Sequence, residues 1–316
     1  MELTQAVLQL DAAAESSRLR LLVALLSGET TVGDLVAVLE QSQPRVSRHL
    51  RLLAEAGLLE SFREGRSIYY RWSAQGLEAG IMSSVAALAA SADPTITRDR
   101  ERLQKLSRQR ERDALRRALR AGRARGLHAS DADAEFADLI RRLLGSAPLG
   151  DILHVGCGSG ELLRSLLPDA RMAVGTEPSG HRRQVARARF RQAGLPRWTI
   201  RDAEPRALNF DAAAFDLVIL QDALGVAGPG SGPGSGPGSG GEPRQILGEA
   251  ARVLRPAGRL LILERLLPTD GGLSAHLAAL GFAVTRRQWL PGRTPDRALF
   301  LAGRPEANLA RTGTDD

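Results

Sequence analysis

The stretch Asp151-Ile-Leu-His-Val-Gly-Cys-Gly-Ser-Gly-Glu161 sets Gly156, Gly158 and Gly160 between an apolar run and a helical pattern. Glycines let the backbone turn sharply and approach a ligand closely. The spacing is G-x-G-x-G, not the G-x-G-x-x-G of dinucleotide-binding loops. Two acids follow at the ends of later apolar runs. Glu177, 21 residues after Gly156, stands where a carboxylate accepts hydrogen bonds from both hydroxyls of a ribose. Asp202, followed by Ala203, stands where an acid can bond an adenine amino group. Only Asp222 and His181 offer themselves as general bases, Asp222 weakly and His181 on a helix among Arg182 and Arg183.

A second constellation is Gln43-Pro-Arg-Val-Ser-Arg-His-Leu-Arg-Leu-Leu-Ala-Glu-Ala-Gly-Leu-Leu59. With Val46, Leu50 and Leu53 turned to a core, Gln43, Arg45, Ser47, Arg48 and His49 remain near the exposed N-terminal half of a helix. Arg bonds guanine bidentately, Gln reads adenine, and Ser reaches phosphate or base. Further on, Arg63 and Arg66 flank Gly65 and could grip phosphate. Tyr69 and Tyr70 alternate, one to the core and one to the surface.

The elements that must position these residues fall into two regimes. Residues 1–92 read as mostly helical, with apolar spacing in Leu3–Leu10, Leu19–Leu26 and Val32–Leu39. Ser42-Gln43-Pro44 is a helix start, Ser as cap and Pro in the first turn, and Gly57 a left-handed stop. Leu58–Arg63 and Ser67–Trp72 read as a hairpin around Glu64-Gly65-Arg66. Residues 76–92 read as one further apolar helix. Val32–Leu39, a turn and the next helix make a helix-turn-helix. Residues 98–125 read as a long charged helix, either a solvated linker or a basic arm that adds phosphate contacts.

From Leu149 onward strands alternate with helices. Strands are expected at Ile152–Val155, Met172–Thr176, Trp198–Arg201, Phe215–Leu220, Arg259–Glu264, Ala283–Arg287 and Ala298–Ala302. That alternation predicts a parallel, doubly wound α/β sheet. Residues 228–241 repeat Gly-Pro-Gly-Ser, a composition expected to stay flexible. The expected domains are a winged helix-turn-helix over 1–95, a basic helical linker over 96–130, a Rossmann-like domain over 131–305, and a disordered tail, 306–316.

The first regime resembles the ArsR/SmtB-like winged-helix repressors through Ser47-Arg48-His49-Leu50, Leu53-Ala54-Glu55-Ala56-Gly57-Leu58 and Gly65-Arg66-Ser67-Ile68-Tyr69-Tyr70. The resemblance covers about residues 5–92. It implies a homodimer joined through the first and last helices of the domain, and a symmetric double-stranded DNA operator. Many members sense metals through cysteines in the helix before the recognition helix. Here that helix reads Thr31-Val32-Gly33-Asp34-Leu35-Val36, and residues 76–92 hold only Glu78 as an acid and no histidine. Metal sensing is therefore not expected.

The second regime resembles a class I methyltransferase domain that uses S-adenosylmethionine (SAM), over about residues 131–304. Besides the glycine loop and the two acids, the resemblance rests on Ala214-Phe215-Asp216-Leu217-Val218 and on the segment Glu249–Ile262. It implies that Gly156, Gly158 and Gly160 line SAM, that Glu177 holds the ribose, and that Asp202 and Ala203 bracket the adenine. His154 departs from it, standing where the family has an acid near the methionyl ammonium. Gln221-Asp222-Ala223-Leu224 departs too, lacking the motif of amino-group methylases.

Composition narrows the remaining classes. One cysteine, Cys157, excludes an internal disulfide and a multi-cysteine metal site from one chain. No apolar run approaches the roughly 20 residues of a membrane span, and the start carries no export signal, so a cytoplasmic protein is expected. The net charge of +7 is uneven: residues 1–95 hold 8 Arg against 11 acids, residues 98–125 hold 12 basic residues against 4 acids. Together these features point to a DNA-binding regulator whose methyltransferase domain responds to SAM or S-adenosylhomocysteine. An active small-molecule methyltransferase regulating its own operon, and a domain kept only as a dimer scaffold, are the alternatives.

Overall fold

The computed structural model describes residues 2–77, 79–120, 131–145, 148–194, 197–224, 243–265, 273–290 and 297–304. The Gly-Pro-Ser repeat 228–241, expected to be flexible, the tail 306–316, expected to be disordered, and Glu78 lie outside the described residues. The chain forms two compact units, Met1–Arg116 with Arg187–Thr199, and Arg117–Ala186 with Ile200–Asp316.

The first unit runs α1 (Leu3–Ala13), α2 (Ser16–Ala24), β1 (Thr30–Thr31), α3 (Val32–Leu39), α4 (Gln43–Glu55), β2 (Leu59–Glu64), β3 (Ser67–Trp72), α5 (Ala74–Leu77), α6 (Ile81–Ala90) and most of α7 (Pro94–Arg120). Leu21, Leu22, Leu35, Val38, Val46, Leu50, Leu53 and Leu58 form its core. Pro44 sits in the first turn of α4, with Ser42 at the cap, though the Ser42 hydroxyl makes no capping bond. The other end closes as a Schellman turn: Leu58 N–H donates to Leu53 O (3.0 Å) and Gly57 N–H to Ala54 O (2.9 Å), with Gly57 at φ +73°. The hairpin pairs Leu59 with Trp72 through to Glu64 with Ser67, and β1 adds a third, unexpected strand beside β3. Tyr69 is buried and Tyr70 half-buried.

Two expectations change here. The helix expected over 76–92 is two helices. A Cβ on Gly76 would lie 2.1 Å from Leu58 O, so this turn packs backbone against backbone, and tight bonds from Ala79 to Gly76 and Met82 to Ala79 replace a continuous ladder. The basic helix is also not solvated on all sides. Its stripe Ile96, Asp99, Leu103 and Ser107 is buried, and Asp99 accepts from Arg20 Nε at 2.6 Å.

The second unit comprises α8 (Asp131–Leu144), β4 (Gly150–Val155), α9 (Glu161–Leu166), β5 (Ala170–Thr176), α10 (Gly180–Gln192), β6 (Trp198–Arg201), β7 (Phe215–Gln221), α11 (Pro243–Val253), β8 (Leu254–Arg265), α12 (Leu273–Ala279), β9 (Ala283–Leu290) and β10 (Arg297–Gly303). The end of α10 and the start of β6 belong to the first unit. All seven expected strands are present, in the order β6-β5-β4-β7-β8-β10-β9. β4 runs parallel to β5 and β7, and β7 to β8. The last strand departs from the parallel expectation, since β10 is antiparallel to β8 and β9. Successive antiparallel strands need only a short connection, whereas a parallel partner needs a full crossover. Ile152–Val155 are all buried, as suits a strand covered on both faces.

Candidate functional site

Strand order reverses between β5-β4 and β7-β8, and a doubly wound sheet opens a ligand crevice at that point, outside the carboxyl ends of its strands. The chain leaves β4 there through Gly156, Gly158 and Gly160, at φ +76°, +58° and +83°, and enters α9. A Cβ on Gly156 would stand 2.8 Å from Gln221 O, which bars any side chain. A Cβ on Gly158 would meet nothing within 4 Å, so this side of the loop is open. The N–H groups of Gly156 and Cys157 both donate to Thr176 O at 2.9 Å, fastening the loop to β5. Cys157 is a small buried residue there.

Glu177 follows β5 and is 4% exposed. Its Oε2 accepts from Gly158 N–H (3.0 Å) and its Oε1 from Ser179 N–H (2.8 Å). Burial pushes its carboxyl above the usual range, opposed by Arg182 at 3.9 Å and by these two N–H donors. The acid expected to hold a ribose thus also braces the glycine loop. A carboxylate offers about four acceptor positions, so capacity remains for hydroxyls. Asp202 follows β6 with its side chain half exposed, and Ala203 beside it is buried. Asp202 Oδ2 accepts from Arg183 Nη2 at 2.9 Å, and Arg183 Nη1 donates to Glu177 O. Sequence reasoning did not single out Arg183; the signal was arginine repeating every fourth residue along α10.

The opposite side of the crevice departs from the adenosine-side pattern. His154 is fully buried in β4, between Gly175 and Ile219, and burial pushes its imidazole down to about 4. It is neutral at pH 7 and supplies no negative charge for an ammonium group. Asp222 lies just past β7 at φ +48°, its N–H donating to Leu263 O. Glu264, at the end of β8 and 7% exposed, accepts from the N–H groups of Ala223 (2.7 Å) and Leu224 (2.9 Å). Sequence reasoning treated Glu264 only as a strand end, yet it sets the backbone that follows Asp222. His181 sits half-exposed in the first turn of α10.

In the first unit, Gln43, Arg45 and Arg48 are exposed along α4 and Ser47 is half-buried. Arg51 is exposed on the same face three residues beyond Arg48, an addition that the i, i+3 spacing could have signalled. His49 differs from its expected place. Both imidazole nitrogens are buried, Glu15 Oε2 lies 3.8 Å from Nδ1, and burial lowers the ring's proton affinity. It faces the protein and not the exposed side of α4, because position 49 neighbours the buried Leu50 and Leu53 stripe. Arg63 and Arg66 are exposed on either side of Gly65 at the hairpin tip.

Among the described residues, no group of three or more His, Cys, Asp and Glu could hold a metal ion. No described helix is long and apolar enough to cross a membrane.

Residues 15–61 match the model of the arsR family of bacterial regulatory proteins, and residues 153–262 match a methyltransferase domain. The chain is 46% identical over 61 residues to the arsenical resistance operon repressor of Escherichia coli K12, covering 19% of this chain and 52% of that protein. It is 38% identical over 77 residues to the transcriptional activator HlyU of Vibrio cholerae, covering 24% of this chain and 71% of that protein. The chain spans about half the length of most curated relatives that it matches. Among solved structures, a SAM-dependent methyltransferase from Aquifex aeolicus superposes with a TM-score of 0.43 at 15% identity, covering 52% of this chain and 88% of that one.

Proposed function

The chain belongs to the arsR family of bacterial regulatory proteins and carries a methyltransferase domain, and from this we propose that it is an operator-binding transcriptional regulator whose DNA affinity responds to SAM or S-adenosylhomocysteine. The observation that carries the ligand reading is the glycine cradle with Glu177 and Asp202 at the carboxyl ends of β5 and β6. The open side of Gly158 and the remaining acceptor capacity of Glu177 fit an adenosine moiety. Asp202 and Ala203 suit its adenine. SAM supplies an already activated sulfonium methyl group when bound, so alignment of an acceptor would carry much of any transfer.

The acceptor side supports sensing over turnover. Among the described residues Asp222, just past β7, is a weak candidate for a base, and His154, where an acid would stand near the methionyl ammonium, is neutral. On the DNA side, exposed Gln43, Arg45 and Arg48, with half-buried Ser47, would meet base edges, with Arg63 and Arg66 on phosphate. A homodimer on a symmetric operator, acting in the cytoplasm, completes the reading.

The test is fluorescence anisotropy of the gene's own upstream DNA at one fixed salt concentration, because phosphate contacts make affinity steeply salt-dependent. Titrations run without ligand, with SAM and with S-adenosylhomocysteine. A shift of about tenfold, about 1.4 kcal/mol of coupling, is expected. Tight DNA binding with no shift sinks the responsive reading and turns attention to acceptor screening. In parallel, calorimetry should show that Glu177→Ala loses SAM binding, and retained affinity would count against the cradle.

A further inference from the structure

Helix α10 carries three arginines at a four-residue spacing, Arg183, Arg187 and Arg191, and all three are buried. Side chains spaced by four share one face of a helix. Buried arginines are rare unless paired, and each of these has a carboxylate. Arg183 meets Asp202 and the Glu177 carbonyl, the two acids placed at the adenosine side of the cradle. Arg187 belongs to the winged-helix unit and is 1% exposed. Its two terminal nitrogens fork onto Glu64 at 3.0 and 2.6 Å, its Nε donates to the fully buried Glu29, and its guanidinium stacks 4.2 Å over Tyr69. Arg191 lies 3.5 Å from Asp34 of α3, which Arg110 also holds.

Glu64 is the last residue of β2, between Arg63 and the Gly65-Arg66 tip. Arg187 therefore grips the wing at the residue next to Arg63 and two before Arg66, the expected phosphate contacts. A forked arginine–carboxylate pair fixes orientation as well as distance.

We propose that α10 is the element that couples the two activities: Arg187 is a positioning residue for the DNA-binding wing, and a ligand adenine competing for Asp202 acts on it through Arg183, one turn earlier on the same helix. The inference rests on the ligand-responsive reading above and assigns its route. A rigid helix passes a displacement at one turn to the next because its backbone ladder keeps the spacing, and this helix has its side chains locked at both turns.

The experiment uses the full chain and compares wild type with Arg187→Met and Glu64→Gln. Operator affinity is read by anisotropy without ligand, with SAM and with S-adenosylhomocysteine, and SAM affinity by calorimetry. Both variants should keep SAM affinity within about threefold, while the ligand-dependent shift in operator affinity falls from about tenfold to under about twofold. Arg187→Met removes the cation beside the buried Glu29 and can unfold the domain, so Glu64→Gln, which keeps that pair, decides the matter if thermal melts show loss of structure. A shift kept in full by Glu64→Gln and by a folded Arg187→Met overturns the assignment while leaving the responsive reading standing. A wild-type protein that binds SAM and DNA with no shift overturns both.

Discussion

Side chains in this protein are governed less by their type than by what surrounds them. Burial keeps His154 neutral, with its proton affinity moved from 6.5 to about 4. The unfolded chain accepts a proton as pH falls through 6.5 while the folded chain refuses it. The fold therefore loses stability between pH 6.5 and 4, by about 3 kcal/mol when fully developed. Urea unfolding at pH 7 and pH 4 should show His154→Leu losing less stability than wild type over that interval; parallel losses would place the imidazole in water. Glu177 moves the other way, and burial raises its carboxyl. Its acceptor role needs the ionised form, so SAM affinity should weaken on acidification at a pH above the ordinary glutamate range, and Glu177→Gln should abolish that dependence in calorimetric titrations.

Elements place those residues, and their ends are where sequence and structure agree best. Helix α4 starts with Pro44 in its first turn and stops at a left-handed glycine because both constraints are local. Gly57→Ala forces a Cβ into that conformation, 2.8 Å from the Gln75 side chain, and should cost about 1 kcal/mol in urea unfolding. Along α4, alanine at both Ser47 and Arg48 should weaken operator binding by about 1–3 kcal/mol for each base edge no longer bonded. Arg63→Ala with Arg66→Ala should flatten the salt dependence by about 0.9 for each phosphate no longer neutralised, with little change in preference among sequences. Unchanged slopes would take the wing off the phosphates.

At the scale of the whole molecule, the first unit has an apolar face that its own described residues leave uncovered. Leu3, Val7 and Leu10 of α1 are 80, 56 and 56% exposed. Their i, i+4, i+7 spacing puts them on one helix face, an apolar stripe of the kind that marks an interface. A second copy of the chain is the expected partner. Sedimentation should show a dimer for wild type and monomers for Leu3→Glu with Val7→Glu; an unchanged dimer would place the interface elsewhere.

What the sequence by itself determined was everything written in short-range chemistry. Periodicity marked α1 to α4 and all seven strands of the large sheet, and glycine marked the turn before α9 and the stop after α4. The spacing of Gly156, Glu177 and Asp202 placed a cradle and two acids on successive strand ends. Only the tertiary structure decided which groups those residues meet. Glu177 braces the glycine loop, Glu264 sets the turn after Asp222, His49 turns to Glu15, and Arg187 reaches Glu29 and Glu64, 158 and 123 residues away in the chain. A local pattern encodes φ, ψ and which face is apolar, and these depend on near neighbours. The partner of a buried charge depends on which distant segments pack against its element, and that is settled when the cores close.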